Sequence, residues 1–280
     1  EFPAILGNDV CGVITAVGSK VSEFKVGDEV FTAPEISGQG SYCEYRAVKA
    51  KYCVEKPSNL SFEEAASIPY VALTTWASLV DKAKLGPDSS RGKRVLVHGG
   101  SGGIGSFAIQ LLKAWGAEVI TTCSTGKVEK VKALGADTVI DYHNEDFTQL
   151  VKNCDVVFDT VGGDYEKKSL PVIKNNGESY YVSLIFPVLS NIDQSGIFRG
   201  AIQSIRDFLR NKKTFKKHGV NYGWGMFKSN KEALTTVKEL IEKGKIKPVI
   251  DTSFPLSQLA DAHIYAESGK AFGKIAIAID

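Results

Sequence analysis

Gly100, Ser101, Gly102, Gly103, Ile104 and Gly105 spell G-x-G-x-x-G, between an apolar run at 94–98 and an amphipathic run at 104–115. That strand, turn and helix setting is the one in which the motif holds a diphosphate. Gly100 and Gly102 let the chain turn tightly and approach a pyrophosphate. Gly105 lets the helix pack close to the strand, and the helix start offers free N–H groups and positive partial charge. The other reading is a flexible loop that binds nothing, and the full strand, turn and helix weigh against it. Sites selective for NAD place Asp or Glu roughly 20 residues after the glycines to accept the ribose hydroxyls. Here the stretch is Thr122-Cys123-Ser124-Thr125-Gly126-Lys127, without an acid. A carboxylate would repel a 2′-phosphate, whereas Ser124 and Thr125 can donate hydrogen bonds to it and Lys127 can supply charge, the alternative being a solvated Lys127. The expected cofactor is NADPH.

The elements that must hold this turn follow a regular rhythm. Strand-like runs at 94–98 and 118–122 flank the helix, whose Ile104, Phe107, Ala108, Leu111, Leu112 and Trp115 share one stripe. Short apolar runs at 138–141, 155–159 and 180–184 read as further buried parallel strands, so the expected fold class is α/β with a doubly wound parallel sheet. Upstream, β-rich runs at 10–17, 29–33 and 43–48, with turns at Gly12, Gly18, Gly27 and Gly38, predict a compact β lobe. Ser61, followed three residues later by Glu64, predicts a capped helix start. The tail reads strand at 249–252, helix at 256–267 and strand at 274–279, and is assigned to the first lobe.

Composition excludes several classes. With 43% hydrophobic and 24% charged residues among 280, the chain is a folded protein rather than a disordered one. Its 34 basic and 32 acidic residues leave +2, a poor fit to nucleic acid. Cys11, Cys43, Cys53, Cys123 and Cys154 contain no C-x-x-C pair, so they predict packed thiols rather than a disulfide framework or zinc cluster, Cys123 being redox-sensitive in the other reading. His98, His143, His218 and His263 show no metal spacing and are read as structural. No apolar stretch reaches the roughly 20 residues of a membrane span. The chain opens on Glu1 and its single methionine is Met226, which predicts a trimmed chain without its native start.

Gly7-Asn8-Asp9-Val10-Cys11-Gly12, Val17-Gly18, Phe24-Lys25-Val26-Gly27-Asp28-Glu29-Val30, Leu73-Thr74-Thr75-Trp76 and the glycine turn occur in this order. Together they resemble the medium-chain dehydrogenase/reductase superfamily, and within it the zinc-free quinone oxidoreductase branch. The resemblance implies a Rossmann NADPH-binding domain at 74–226 and a β-rich GroES-like catalytic domain at 1–73 to which 227–280 returns, with the nicotinamide in a cleft between them. Full members carry several dozen residues before the Gly-x-Asp motif, so the GroES-like domain is read as N-terminally incomplete. Zinc-dependent members have Gly-His-Glu where this chain has Gly7, Asn8 and Asp9, and they carry four closely spaced cysteines that it lacks; no metal is expected.

The same resemblance assigns site residues. Thr74 matches the threonine facing the nicotinamide; Ser101, Gly103, Ile104 and Ser106 match the pyrophosphate turn. Ser124 corresponds to the adenosine-phosphate contact and Tyr142 to a residue beside the adenosine. Val161 and Gly162, which follow Asp159, and the stretch from Ser183 through Leu184 to Phe186 should border the nicotinamide ribose. Phe272, Gly273 and Lys274 match a tail segment folded over the cofactor. A rim position for Tyr142, a solvated Lys274 and a core Phe186 are the alternatives.

The implied activity is hydride transfer from NADPH to a quinone or conjugated enone, which accepts hydride without metal polarisation, so that positioning does most of the catalysis. Water or a hydroxyl supplies the proton, and no side chain is named for that role. Two rivals stay open: an enoyl-thioester reductase, and a nucleotide-binding partner or scaffold protein with little turnover that meets a reticulon-type protein or RNA. The resemblance implies a mitochondrial location, with the cytoplasm as alternative. Residues 220–227 read as an edge strand available for a homodimer. Arg210, Lys212, Lys213, Lys216 and Lys217 form a basic run, read as a solvated face or else a contact for an acidic partner or RNA.

Overall fold

The computed structural model describes residues 4–35 and 39–279, so the turn expected at Gly38 lies outside the described residues. The strands are β1 (Val10–Val13), β2 (Glu29–Thr32), β3 (Val54–Glu55), β4 (Arg94–His98), β5 (Glu118–Cys123), β6 (Thr138–Asp141), β7 (Val156–Asp159), β8 (Ser179–Ser183), β9 (Val220–Trp224), β10 (Ile250–Pro255) and β11 (Lys274–Ala278). The α-helices are α1 (Phe62–Ala66), α2 (Pro69–Trp76), α3 (Gly103–Ala114), α4 (Val128–Lys132), α5 (Phe147–Leu150), α6 (Tyr165–Ser169), α7 (Val188–Ser195), α8 (Ile197–Lys217), α9 (Lys231–Glu242) and α10 (Leu259–Glu267). They fall into two compact units. One gathers Glu1–Trp76, Gly102–Leu111 and Phe227–Asp280; the other gathers Ala77–Ser101 and Leu112–Met226. Among the described residues no helix is long and apolar enough to cross a membrane.

In the first unit β1, β2 and β3 form an antiparallel sheet in that order, with Phe31 opposite both Cys11 and Val54 and fully buried. A parallel pair, β10 and β11, forms a second sheet. Ser61 closes the expected capping box: its hydroxyl accepts the Glu64 N–H at 3.2 Å while Glu64 Oε2 accepts the Ser61 N–H at 2.9 Å. The strand expected at 43–48 does not form. A strand must satisfy its N–H and C=O groups on a neighbour, and these residues instead border a cavity of about 920 Å³ that β1, residues 14–18 and β11 also line.

The second unit is built on six parallel strands in the order β6-β5-β4-β7-β8-β9. Val95, Leu96, Val97, Val119, Ile120, Val157 and Phe158 are all fully buried, as unbroken apolar runs covered on both faces must be. Edge strand β9 occupies the first five residues of the run expected at 220–227. A cluster of Leu96, Ile120, Val157, Tyr181, Phe215 and Tyr222 belongs to the core on this sheet. The sequence reading left 188–217 without a helix, and the structure places α7 and the 21-residue α8 there. The physical reason lies in α8's pattern: its buried positions include Gly200 and Ser204, while Phe198, Ile202, Ile205 and Leu209 are exposed. Its apolar residues are therefore divided, Phe208 and Phe215 packing inward and these four facing out, so they do not mark one buried face.

Candidate functional site

The glycine turn begins where β4 ends. Gly99 takes φ +79°, and a Cβ built there would stand 2.6 Å from Thr160 Oγ1, so the left-handed position lies one residue ahead of the motif. Thr122 at the end of β5 holds the turn: its hydroxyl accepts the Gly99 N–H at 3.2 Å and its carbonyl the Gly100 N–H at 2.9 Å. Downstream, the Ser106 N–H donates to Gly102 O at 2.9 Å, and the Ser106 hydroxyl donates to Gly103 O at 3.1 Å. The amides of Gly103, Ile104 and Gly105 open α3 ahead of its first i to i−4 bond and carry the positive end of the helix dipole. A diphosphate fits such an opening.

The second unit places its candidates on one edge of the sheet. From β4 the chain steps outward through β5 and β6 on one side, and through β7, β8 and β9 on the other, so the order reverses between β4 and β7. Ligands of doubly wound sheets sit at the carboxyl ends of the strands at such a reversal. Ser101, Ser124, Tyr142, Val161, Gly162 and Leu184 follow the carboxyl ends of β4, β5, β6, β7 and β8. Tyr142 is 47% exposed and donates its N–H to Cys123 O at 3.2 Å. Phe186 is half-buried and stacks on Trp224 with centroids 5.1 Å apart.

Asp159, fully buried at the end of β7, fixes the loop that follows it. One carboxylate oxygen accepts the N–H groups of Val161 and Gly162, each at 2.9 Å; the other accepts the Tyr181 hydroxyl at 2.5 Å. Leu184 donates its N–H to Asp159 O at 2.9 Å. Gly162 takes φ +78°, and a Cβ there would meet Ile185 at 2.7 Å. The sequence reading gave no role to Gly99, Thr122, Asp159 or Tyr181. An Asp two residues before an exposed turn was a usable signal, because its carboxylate can take the amides that follow.

At the end of β5, Ser124 O accepts the Lys127 N–H at 2.9 Å. The Thr125 hydroxyl bonds to Asp141, and this bond, with that of the His143 N–H, holds the carboxyl below its ordinary pKa. Of the three donors read from the sequence, Thr125 is thus committed to Asp141.

In the first unit the glycine turn meets the tail. Gly102 and Gly273 form a parallel bridge, and a Cβ at Gly103 would stand 2.8 Å from Lys274 Cδ. Gly273 takes φ +82°, where a Cβ would lie 2.3 Å from Val249 O, so only glycine brings the tail this close. Gln110 of α3 ties the same tail from its side chain, donating to Lys247 O at 3.0 Å and accepting the Lys247 N–H at 2.9 Å. Lys274 Nζ donates to Asp9 Oδ2 at 3.0 Å, and Asp9 Oδ1 accepts the Tyr70 N–H at 2.6 Å. Thr74 lies buried in α2 of this unit, and half-buried Phe272 immediately precedes Gly273.

Among the described residues no three His, Cys, Asp or Glu side chains form a group able to hold a metal. Burial pushes the Cys11 and Cys154 thiols up to about 12 and Cys123 up to about 11, so each rests as a protonated thiol at neutral pH. Fully buried His98 is occupied by hydroxyls, with Nε2 3.0 Å from Ser169 Oγ and Nδ1 3.4 Å from Thr122 Oγ1, and burial lowers its pKa.

Two family models match the chain: "Zinc-binding dehydrogenase" over residues 134–277 and "Alcohol dehydrogenase GroES-like domain" over residues 1–58. The "NAD(P)H oxidoreductase RTN4IP1, mitochondrial" of Danio rerio is 42% identical over 283 residues, covering 100% of this chain and 73% of that protein. The "2-methylene-furan-3-one reductase" of Solanum lycopersicum is 39% identical, covering 99% of this chain and 64% of that protein. Among solved structures, the quinone oxidoreductase from Coxiella burnetii superposes with a TM-score of 0.84 at 30% identity, covering 100% of this chain and 81% of that one.

Proposed function

The chain belongs to the medium-chain dehydrogenase/reductase superfamily and is an NAD(P)H-dependent oxidoreductase; from that premise we propose that its coenzyme is NADPH and its acceptor a quinone or related conjugated carbonyl, reduced without zinc. The observation that carries this reading is the glycine turn between β4 and α3, at the reversal of the sheet, with Gly99 in its left-handed position. When bound, the coenzyme supplies a hydride. The amides of Gly103, Ile104 and Gly105 bind the diphosphate, with Ser101, Gly102 and Ser106 shaping the turn around them. Ser124 and Lys127 take the adenosine phosphate, and Tyr142 covers the adenosine. Asp159 fixes Val161 and Gly162 for the nicotinamide ribose, beside Leu184 and Phe186. Thr74 faces the nicotinamide, while Phe272, Gly273 and Lys274 close over the coenzyme.

The absence of an acid at 122–127 supports NADPH, since a carboxylate there would repel its extra phosphate. Asn8, standing where zinc-dependent members have their metal-binding histidine, supports the zinc-free reading, and an electron-poor acceptor would need no Lewis acid. Residues 1–73 and 227–280 form the catalytic domain in this reading and 74–226 the nucleotide-binding domain. By likeness to its relatives the protein works in mitochondria and meets a reticulon-type partner, and the exposed edge of β9 supports pairing as a homodimer.

NADPH oxidation measured with a panel of quinones, enals and a crotonyl thioester tests the activity. Turnover on quinones or enals, unchanged by a chelator, is the expected result. Tight NADPH binding with no turnover on any acceptor would replace it with a binding role, and turnover on the thioester alone with an enoyl reductase. Fluorescence titration should show NADPH binding at least about tenfold tighter than NADH, about 1.4 kcal/mol. Equal affinities would remove the role given to Ser124 and Lys127.

A further inference from the structure

Helix α8 presents two faces of opposite character. Its buried face is fixed against α7: a Cβ at Gly200 would stand 2.5 Å from the Asn191 backbone, and Asn191 Nδ2 donates to Ser204 Oγ at 3.1 Å. Gly200, Ser204 and Phe215 are buried on that side. At 3.6 residues per turn, Phe198, Ile202, Ile205 and Leu209 line up elsewhere on the helix, and they are 87%, 51%, 59% and 56% exposed. The close contact at Gly200 prevents the helix from rolling this stripe inward.

Cations flank the stripe. Exposed Arg199, Arg206, Arg210, Lys213 and Lys217 run along one side of it. After Leu209 the stripe itself turns basic, because Lys212 and Lys216 continue its i+3, i+4 spacing. The helix has a single acid, Asp207, which pairs with Arg210 at 2.9 Å.

We propose that α8 docks the protein on a membrane surface rich in anionic lipid, its first three turns set into the headgroup boundary and its C-terminal lysines on the headgroups. The inference stands apart from the coenzyme reading. An apolar stripe bordered by Lys and Arg is the pattern of an interfacial helix, and the charge complementarity selects an anionic surface. A second copy of the chain fits poorly, since a twofold contact of this face with itself would set the cationic rows together. A phosphate backbone would leave the four apolar side chains unused.

Flotation of the whole protein with phosphatidylcholine vesicles, with and without phosphatidylserine, tests this. The bound fraction should rise about tenfold with phosphatidylserine and fall as salt is added. Ile202→Asp with Ile205→Asp, both at exposed positions, should abolish binding with an unchanged circular-dichroism melt. Lys213→Glu with Lys217→Glu should lower binding to the anionic vesicles only. Equal or absent binding to both vesicle types, or retained binding by the aspartate variant, would overturn the proposal. So would sedimentation velocity showing that the aspartates split a dimer, which would assign the stripe to a second copy.

Discussion

Asp159 concentrates more structural consequence than any single residue of the candidate site. Replacing it with Ala strands two amide donors and the Tyr181 hydroxyl, two of the three groups being buried. We expect a loss of about 2 kcal/mol in denaturant unfolding and a raised KM for NADPH. Tyr181→Phe removes one partner and should cost about 1 kcal/mol. Unchanged stability in the alanine variant would remove the anchoring role. His98 gives a pH dependence. Burial lowers its folded pKa below the ordinary value near 6.5. As pH falls from there toward the folded value, the unfolded chain takes up a proton that the folded chain refuses, and stability drops by at most about 1.4 kcal/mol per pH unit. Glu166, pushed up to about 7 mainly by burial, acts in the opposite sense, its stabilisation being lost as pH rises toward that value. Comparing wild type with His98→Asn therefore isolates the histidine, and identical pH slopes would refute its contribution. At this scale the sequence revealed the glycines as a motif but not their division of labour. The positive φ at Gly99 depends on Thr160, 61 residues later in the chain, and such a contact leaves no local mark.

Local elements follow the sequence where their signal is short-ranged. The capping box at Ser61 needs only four residues, and Ser61→Ala should lower stability by about 1 kcal/mol in a thermal melt, with Thr restoring it. Strands β4 and β6 begin and end at the expected residues, and in central β4 burial on both faces makes the apolar run continuous. Residues 43–48 have strand-forming side chains but no strand neighbour, and pairing is a property of the partner as much as of the segment. Helix α8 escaped notice for the opposite reason. Phe208 and Phe215 pack on the core while Phe198, Ile202, Ile205 and Leu209 face away from it, so periodicity alone could not say which side meets the core.

Across the whole molecule, charge is distributed unevenly. The chain carries only +2, yet α8 alone bears seven cations and one carboxylate, leaving the remaining residues net acidic. Overall composition, which argued against nucleic acid, hides this local concentration. The meeting of the glycine turn with the tail was legible through family likeness rather than residue pattern, since Gly102 and Gly273 are too far apart in sequence for any periodicity to link them. Gly273→Ala, at φ +82° and against Val249 O, should move the tail and weaken NADPH binding about tenfold or more in a fluorescence titration, while unchanged affinity would sever the tail from the site.

The ion pair between Lys274 and Asp9 bears on redesign. An engineer who wished to graft a metal into this lobe by exchanging Asn8 for histidine and recruiting the Asp9 carboxylate beside it would find an ammonium already installed on that carboxylate. The graft would have to begin by evicting that lysine, and with it one of the tethers of the C-terminal strand.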